Sequence, residues 1–252
     1  MKRRLFDANV YLGQPIQALF EPAPTARALL KQMDASGIDR AIVWHVAQRD
    51  YSAADGNALV ARAIKGESRL LGCWTILPPQ TGEVSAKDFF ARMRKQRIVA
   101  LRCFPNAHNY LLNAVVFGDF LEEVTRRHIP LLLSMGDKGS HWPGVYALLK
   151  DYPELTCILC DIGIWSVNRY TWPLLQNYPN VHLETSLLSL EAGGVEATVE
   201  KYGAGRLIFG TGFPERYAES AVLQLMHSAI AEADKRKIAA GNMEQLIART
   251  GL

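Results

Sequence analysis

Short apolar runs rich in aliphatic and β-branched residues recur along this chain at intervals of roughly 25 to 35 residues, the spacing of one βα unit. Eight such runs predict strands over residues 5–11, 40–46, 70–76, 99–104, 129–135, 156–162, 181–187 and 206–211. Several, such as IPLLLSM and LTCILCDI, are apolar at consecutive positions instead of alternating. Strands buried on both faces read this way, and parallel sheets bury both faces.

Helical spacing fills the intervals between them. Thr25 is placed to cap a helix running to Ser36, with Gly37 suited to a left-handed exit. Ser85 and Asp88 form a capping-box pattern at the start of the segment carrying Phe89, Phe90 and Met93. Residues 114–128 carry apolar positions at helical spacing and end basic, which suits the helix dipole. Residues 218–233 and 243–249 predict two closing helices, and Gly66, Gly203 and Gly205 punctuate turns from helix to strand. No linker or break in composition divides the chain, so a single domain over 1–252 is expected. Eight βα units in about 250 residues predict a closed (β/α)8 barrel. An open doubly wound sheet shares the alternation, but would carry a glycine-rich phosphate turn after its first strand. Here that turn reads YLGQPIQ.

Composition adds exclusions. The 252 residues are 49% hydrophobic and 21% charged, ordinary for a globular domain. A net charge of +3, evenly spread, argues against nucleic acid and membrane lipid as partners. The basic cluster Arg92, Arg94, Lys95 and Arg97 reads as the solvated end of a helix. No apolar run reaches spanning length, and the opening MKRRLFDANVYLG lacks a secretory apolar core. Cys157 and Cys160 form a C-x-x-C, but on a strand they point to opposite faces, which excludes a zinc clip or redox pair. With Cys73 and Cys103 also in strand-like runs, the thiols are expected to be reduced and the protein cytoplasmic.

The landmarks resemble those of the amidohydrolase-related barrels, which include decarboxylases and metal-dependent hydrolases of small carboxylated compounds. FDANVYLG resembles the opening D-x-H-x-H-x-G, and LRCFPN the fourth-strand G-h-R-h-x-P. HIPLLLSMGD and YPELTCILCDIG resemble the fifth and sixth strands, each ending in His-x-Gly in the family. YPNVHLETS resembles the seventh, GAGRLIFGTGFP the eighth with its F-G-S-D-x-P, and KIAAGNMEQLI the closing helix. The resemblance spans nearly the whole chain in order and implies the same barrel. It also implies where a metal would be held, and there the sequence departs. The two first-strand histidines fall on Asn9 and Tyr11, the fifth-strand one on Ser134, the sixth-strand one on Asp161, and the eighth-strand aspartate on Gly212. A catalytic zinc needs about three good ligands and an open position. Only Asp161 remains one, so no metal and no other cofactor is expected. Gly212 also removes the proton-shuttling aspartate that the resemblance implies, so the inherited hydrolytic route is expected to be lost.

Side chains at the C-terminal ends of barrel strands face the site in this fold. That rule places Asn9, Tyr11, His45, Trp74, Arg102, Ser134, Asp137, Asp161, Trp165, Glu184 and Thr185 at the mouth. The leading expectation is recognition of a small carboxylated metabolite without a metal. Arg102 would anchor it or pair with Asp161 or Glu184. Asn9, Tyr11, Trp74, Ser134, Asp137 and Trp165 would line the ligand. Asp161 or Glu184 would act as acid or base in a hydrolase- or lyase-type reaction, partnered by His45. His45 could instead cap a loop, and Cys103 as a nucleophile would need a base beside it. A second expectation is a catalytically silent binding or assembly protein, with an exposed apolar patch at Phe89, Phe90, Val115 and Phe117 supporting a homodimer. A third keeps a metal hydrolase on unfamiliar ligands, Asp161, Glu184, His45 and His141.

Overall fold

The computed structural model describes residues 4–17, 19, 22–84, 88–162, 167–188 and 192–252. Eight parallel strands follow one another around the sheet in chain order. They are β1 (Phe6–Leu12), β2 (Arg40–His45), β3 (Leu70–Thr75), β4 (Ile98–Cys103), β5 (Leu131–Ser134), β6 (Cys157–Cys160), β7 (Val181–Glu184) and β8 (Leu207–Ile208). The ring closes between β1 and the segment leaving β8: Ala8 N–H donates to Phe209 O at 3.0 Å and Gly212 N–H to Asn9 O at 2.9 Å. Asp7 fastens this seam. Fully buried, it accepts from the Thr211 hydroxyl at 2.6 Å and the Thr211 N–H at 3.1 Å. Burial raises its carboxyl to about 6, although those hydrogen bonds pull the other way.

The strands alternate between two apolar layers. Leu132, Ile158, Cys160 and Ile208 fill the barrel with Phe6, Trp44 and Cys73. Leu131, Leu133, Cys157 and Leu159 face outward against the helices. Cys157 and Cys160 therefore sit on opposite faces, and all four cysteines are free and buried. β1 is the exception to strict alternation. Its register on β2 shifts between Asp7 and Val10. Phe6 and Ala8 belong to the inner layer before the shift; after it Tyr11 is inner and Val10 outer. A bulge of this kind re-aims side chains, and here it brings Asn9 onto the inner face with Tyr11.

Thr25 caps the helix Ala26–Ser36 through the Ala28 N–H, and Gly37 leaves it at φ 71°. Other expectations need correction. The segment 114–128 is not one helix: it breaks at Gly118, whose φ 44° and ψ −132° no helix continues, into Ala114–Phe117 and Asp119–Arg126. Asp88 precedes the helix Phe89–Lys95 in a left-handed conformation without a side-chain cap, and Ser85 lies outside the described residues. The segment 218–233 ends its first helix at His227 and starts a second at Glu232. The apolar patch does not form either. Phe89 and Phe117 are buried, and Phe90 stacks on Phe120 with centroids 5.8 Å apart, which leaves Val115 as the exposed member. Among the described residues no helix is long and apolar enough to cross a membrane.

Candidate functional site

The middle of β1 and the C-terminal ends of β4, β5, β6 and β7 bring five polar side chains into one buried network. Arg102, on β4, is fully buried; its guanidinium lies 4.8 Å from the centroid of Trp44 and 5.5 Å from that of Phe104. Its Nε donates to Ser134 Oγ at 3.1 Å and its Nη1 to Asn9 Oδ1 at 2.9 Å, while Nη2 reaches Asp161 Oδ2 at 3.4 Å. Asn9 then turns its amide nitrogen to both acids, donating to Glu184 Oε2 at 3.0 Å and Asp161 Oδ1 at 3.2 Å. Glu184 takes two further bonds from Ser186, one from the backbone N–H and one from the hydroxyl at 2.8 Å.

Arg216, in the loop after β8, completes the network. Its Nη1 donates to Asp161 Oδ1 at 2.7 Å, and its side chain is 24% exposed where that of Arg102 is 0%. Asp161 thus lies between two guanidiniums. Burial pushes its carboxyl up, but Arg102 and Arg216 outweigh that and hold it below the usual carboxylate value. Among the described residues Glu184 has no guanidinium within hydrogen-bond distance. Burial, then the charge of Asp161, raise its carboxyl to about 7. Two neighbouring acids are therefore pushed apart: Asp161 is ionised, and Glu184 keeps its proton well above the usual carboxylate range.

Above this network lies a cavity of about 140 Å³, bordered by Asn9, Tyr11, Trp44, Phe104, Ser134 and Asp161 and by the charged side chains of Arg49, Lys138, Glu215 and Arg216. A chain of ion pairs crosses its rim. Lys138 Nζ, after β5, donates to Asp50 Oδ1 at 2.9 Å; Arg49, after β2, grips Asp50 through Nε and Nη2 at 2.9 and 3.2 Å. Arg49 Nη1 also reaches Glu215 Oε1 at 3.2 Å, which accepts from Tyr11 Oη at 3.3 Å.

The expected site residues divide accordingly. Asn9, Tyr11, Ser134 and Asp161 border the cavity. Arg102 and Glu184 lie beneath it, fully buried and hydrogen-bonded within the protein, so Arg102 is paired with Asp161 and is not free to anchor a ligand directly. His45 is bound into its loop, its Nδ1 accepting from Ala47 N–H at 3.1 Å, and burial lowers its pKa. Trp74 donates to Asn57 O at 3.0 Å and packs on Phe89, away from the mouth. Asp137 is exposed outside the cavity lining, His141 is exposed, and Thr185 is buried against Gly210. Trp165 lies outside the described residues. Cys103 is buried with its thiol pushed up to about 12, which leaves no nucleophile at neutral pH. Sequence reasoning missed Arg216, Arg49, Lys138 and Glu215. The signal for Arg216 was its position four residues beyond Gly212.

That spacing has a structural reason. A Cβ built on Gly212 would collide with Nη1 of Arg216, and Gly212 itself has φ 67°. Gly212→Ala is expected to cost about 1–2 kcal/mol from the left-handed backbone alone and to push Arg216 off Asp161. A thermal melt checks the first and the structure of the variant the second.

No family model matches the sequence, and a search of curated proteins finds no match. Solved structures do match. A 2,6-dihydroxybenzoate decarboxylase from Rhizobium has 17% identity and a TM-score of 0.75 over 98% of this chain and 99% of its own. A dihydroxybenzoic acid decarboxylase from Polaromonas sp. JS666, with bound manganese and 2-nitroresorcinol, has 17% identity and a TM-score of 0.73 over 98% and 97%. A probable 2-pyrone-4,6-dicarboxylic acid hydrolase from Acinetobacter baumannii, with citric acid bound, has 14% identity and a TM-score of 0.71 over 98% and 100%. What they share with this chain is the fold. The (β/α)8 barrel is thus established at full length by the strands and by these likenesses together.

The manganese of one such barrel raises the question whether the residues here fit a divalent ion. Among the described residues no group of three or more His, Cys, Asp or Glu side chains converges as a ligand set. The one carboxylate at the expected place is already paired with two guanidiniums. The donor set does not fit such an ion.

Proposed function

We propose that this barrel is a receptor for a small carboxylated metabolite, of amidohydrolase-related ancestry, that binds its ligand at the barrel mouth without a metal and anchors the carboxylate on Arg216. The observation that carries this reading is the state of the Arg216 side chain. It borders the cavity, spends Nη1 on Asp161, and has no other hydrogen-bond partner among the described residues. A guanidinium with unspent donors at a cavity wall is suited to an incoming carboxylate. Lys138 and Arg49 at the rim are balanced by Asp50 and Glu215, which leaves Arg216 as the cation turned to the cavity, and Tyr11, Trp44 and Phe104 form an apolar wall. Such a mixture is typical of small-molecule sites. The cavity volume is close to that of an engineered cavity of about 150 Å³ that holds benzene, so the ligand has roughly six to nine heavy atoms.

Recognition is favoured over hydrolysis by where the acids sit. Of Asp161, Glu184 and His45, only Asp161 borders the cavity, and its two guanidinium partners make it a weak base. The ancestry rests on the motif order along the chain and on the shared barrel, and the carboxylate class accords with the acids named for the similar structures.

The test is a titration of acetate, pyruvate, succinate and benzoate against the wild type and Arg216→Met, followed by calorimetry or ligand-observed NMR. At least one should bind the wild type. Loss of a charge-assisted contact worth about 1.5–3 kcal/mol should weaken it by about 10- to 150-fold in the variant. Equal affinity in both proteins, or no binding to either, would overturn the proposal.

A further inference from the structure

Two acids border the cavity beside Arg216, and they stand on different sides of it. Asp161, which directly follows β6, holds Arg216 through Oδ1 at 2.7 Å. Glu215 precedes Arg216 in the chain but pairs the other way, with Tyr11 of β1 and with Arg49, which follows β2. β2 and β6 are four strands apart in the eight-stranded ring and so lie across the mouth from each other. Glu215 is pinned on that side by one oxygen. Its Oε1 accepts from Tyr11 Oη at 3.3 Å and from Arg49 Nη1 at 3.2 Å, and among the described residues no hydrogen bond reaches Oε2. The side chain is 38% exposed.

The cations around it are already paired. Arg49 grips Asp50 through two nitrogens, and Lys138 reaches the same carboxylate at 2.9 Å. Asp50 is 2% exposed, so Lys138 cannot turn to a ligand without taking a cation from a buried acid. Arg49, Lys138, Arg102 and Arg216 thus face three paired acids, Asp50, Asp161 and Glu215, while burial opposes ionisation of the fourth, Glu184. One positive charge is left over, and Arg216 presents it to the cavity. That balance suits one carboxylate.

We infer that Glu215 is the specificity residue of the mouth: it meets the far end of a ligand held on Arg216 and turns away a second carboxylate, so that the site takes monocarboxylates and rejects dicarboxylates. The inference deepens the receptor reading given above and rests on it. In a cavity of about 140 Å³ a second carboxylate has little room to stand clear of both Asp161 and Glu215. Like charges brought together at a binding site repel, and an opposing charge of this kind is how a site discriminates against the wrong partner. An uncharged group at that end meets no such penalty, and one with an N–H or O–H can donate to Glu215 Oε2.

The experiment compares succinate with succinamate, in which one carboxylate becomes an uncharged amide of the same shape. At roughly eight heavy atoms both suit the cavity volume. Calorimetry is run on the wild type and on Glu215→Gln, with a thermal melt to establish that the variant is folded. The wild type should bind succinamate at least about tenfold more tightly than succinate. Glu215→Gln should narrow that gap to under about threefold through a gain in succinate affinity, a change that loss of structure does not produce. Succinate bound by the wild type as tightly as succinamate overturns the inference. So does a folded variant in which the gap persists, or closes only because succinamate binds more weakly. Should Glu215→Gln fail to fold, the wild-type ratio decides alone. Failure of the wild type to bind succinamate also overturns the inference. The receptor reading is judged separately: it stands in all these cases if acetate, pyruvate or benzoate binds and Arg216→Met weakens it, and fails if no carboxylate binds.

Discussion

Arg102→Met is expected to lower the stability of the folded chain by about 3–5 kcal/mol, the loss typical of removing one partner from a buried ion pair. For a domain of this size that is a fall in melting temperature of roughly 6–20 °C. The size of the effect follows from what the guanidinium does. It is fully buried and donates to Ser134 and Asn9, reaches Asp161, and lies over the Trp44 and Phe104 rings. Methionine refills much of the volume but leaves Asn9 Oδ1 without its donor and Asp161 with one cation. Arg216→Met should cost much less, because its side chain is partly exposed and Arg102 still compensates Asp161. Adding Asp161→Asn to Arg102→Met should recover part of the loss, since the uncompensated charge goes with it. Urea unfolding of the three proteins checks this. A loss under about 1 kcal/mol for Arg102→Met would mean that the network is not a structural centre.

The fold was legible because its signal is repeated eight times. Each strand expectation overlaps an observed strand, since runs such as Leu131–Ser134 and Cys157–Cys160 are buried on both faces and tolerate little polarity. The helix expectations failed where one residue outweighed the periodicity. Gly118 interrupts an otherwise continuous amphipathic stretch through its backbone angles alone, which hydrophobic spacing does not encode. The site was legible in part. Asn9 stands at the bulge within β1, Ser134 ends β5 and Asp161 directly follows β6, so the strand backbone fixes their direction. Arg216, Arg49 and Lys138 stand in loops, where the side chain's reach depends on a path that no local pattern specifies. His45 and Trp74 illustrate the converse. Both occupy strand ends, yet each found a hydrogen-bond partner in the packing around it, Ala47 N–H for one and Asn57 O for the other, and so was drawn away from the mouth.

The charged groups at the mouth depend on one another for partners. The glycine at 212 makes room for the Arg216 guanidinium, which compensates Asp161, which in turn shares Asn9 with Glu184. Unpaired buried charge is costly, so a change at any one of these positions is felt at the others.

The pH dependence of stability isolates the last member of the set. Glu184 has its carboxyl raised from 4.5 to about 7 by burial and by the charge of Asp161. A raised folded-state value means that the folded chain keeps a proton the unfolded chain has released. The contribution is fully present below about 4.5, falls as pH rises, and is gone once pH has passed through about 7, a total of about 3 kcal/mol. Asp7, raised to about 6, has the same sign but is spent by that pH. His182, lowered to about 4 by burial, has the opposite sign: its contribution is present above its ordinary 6.5 and lost as pH falls through about 4. Between about pH 6.5 and 8 the Glu184 effect therefore stands alone among these three. Glu184→Gln removes it. The variant carries a fixed cost at every pH, because the new amide presents donors to Asn9, so the informative quantity is the difference from wild type as a function of pH. Relative to wild type the variant should gain about 2–3 kcal/mol from pH 5 to pH 8, most of the total, read by urea unfolding at each pH. A difference that stays flat across that range would show that Glu184 is already ionised in the folded chain, and that Arg102 and Arg216 compensate both acids instead of one.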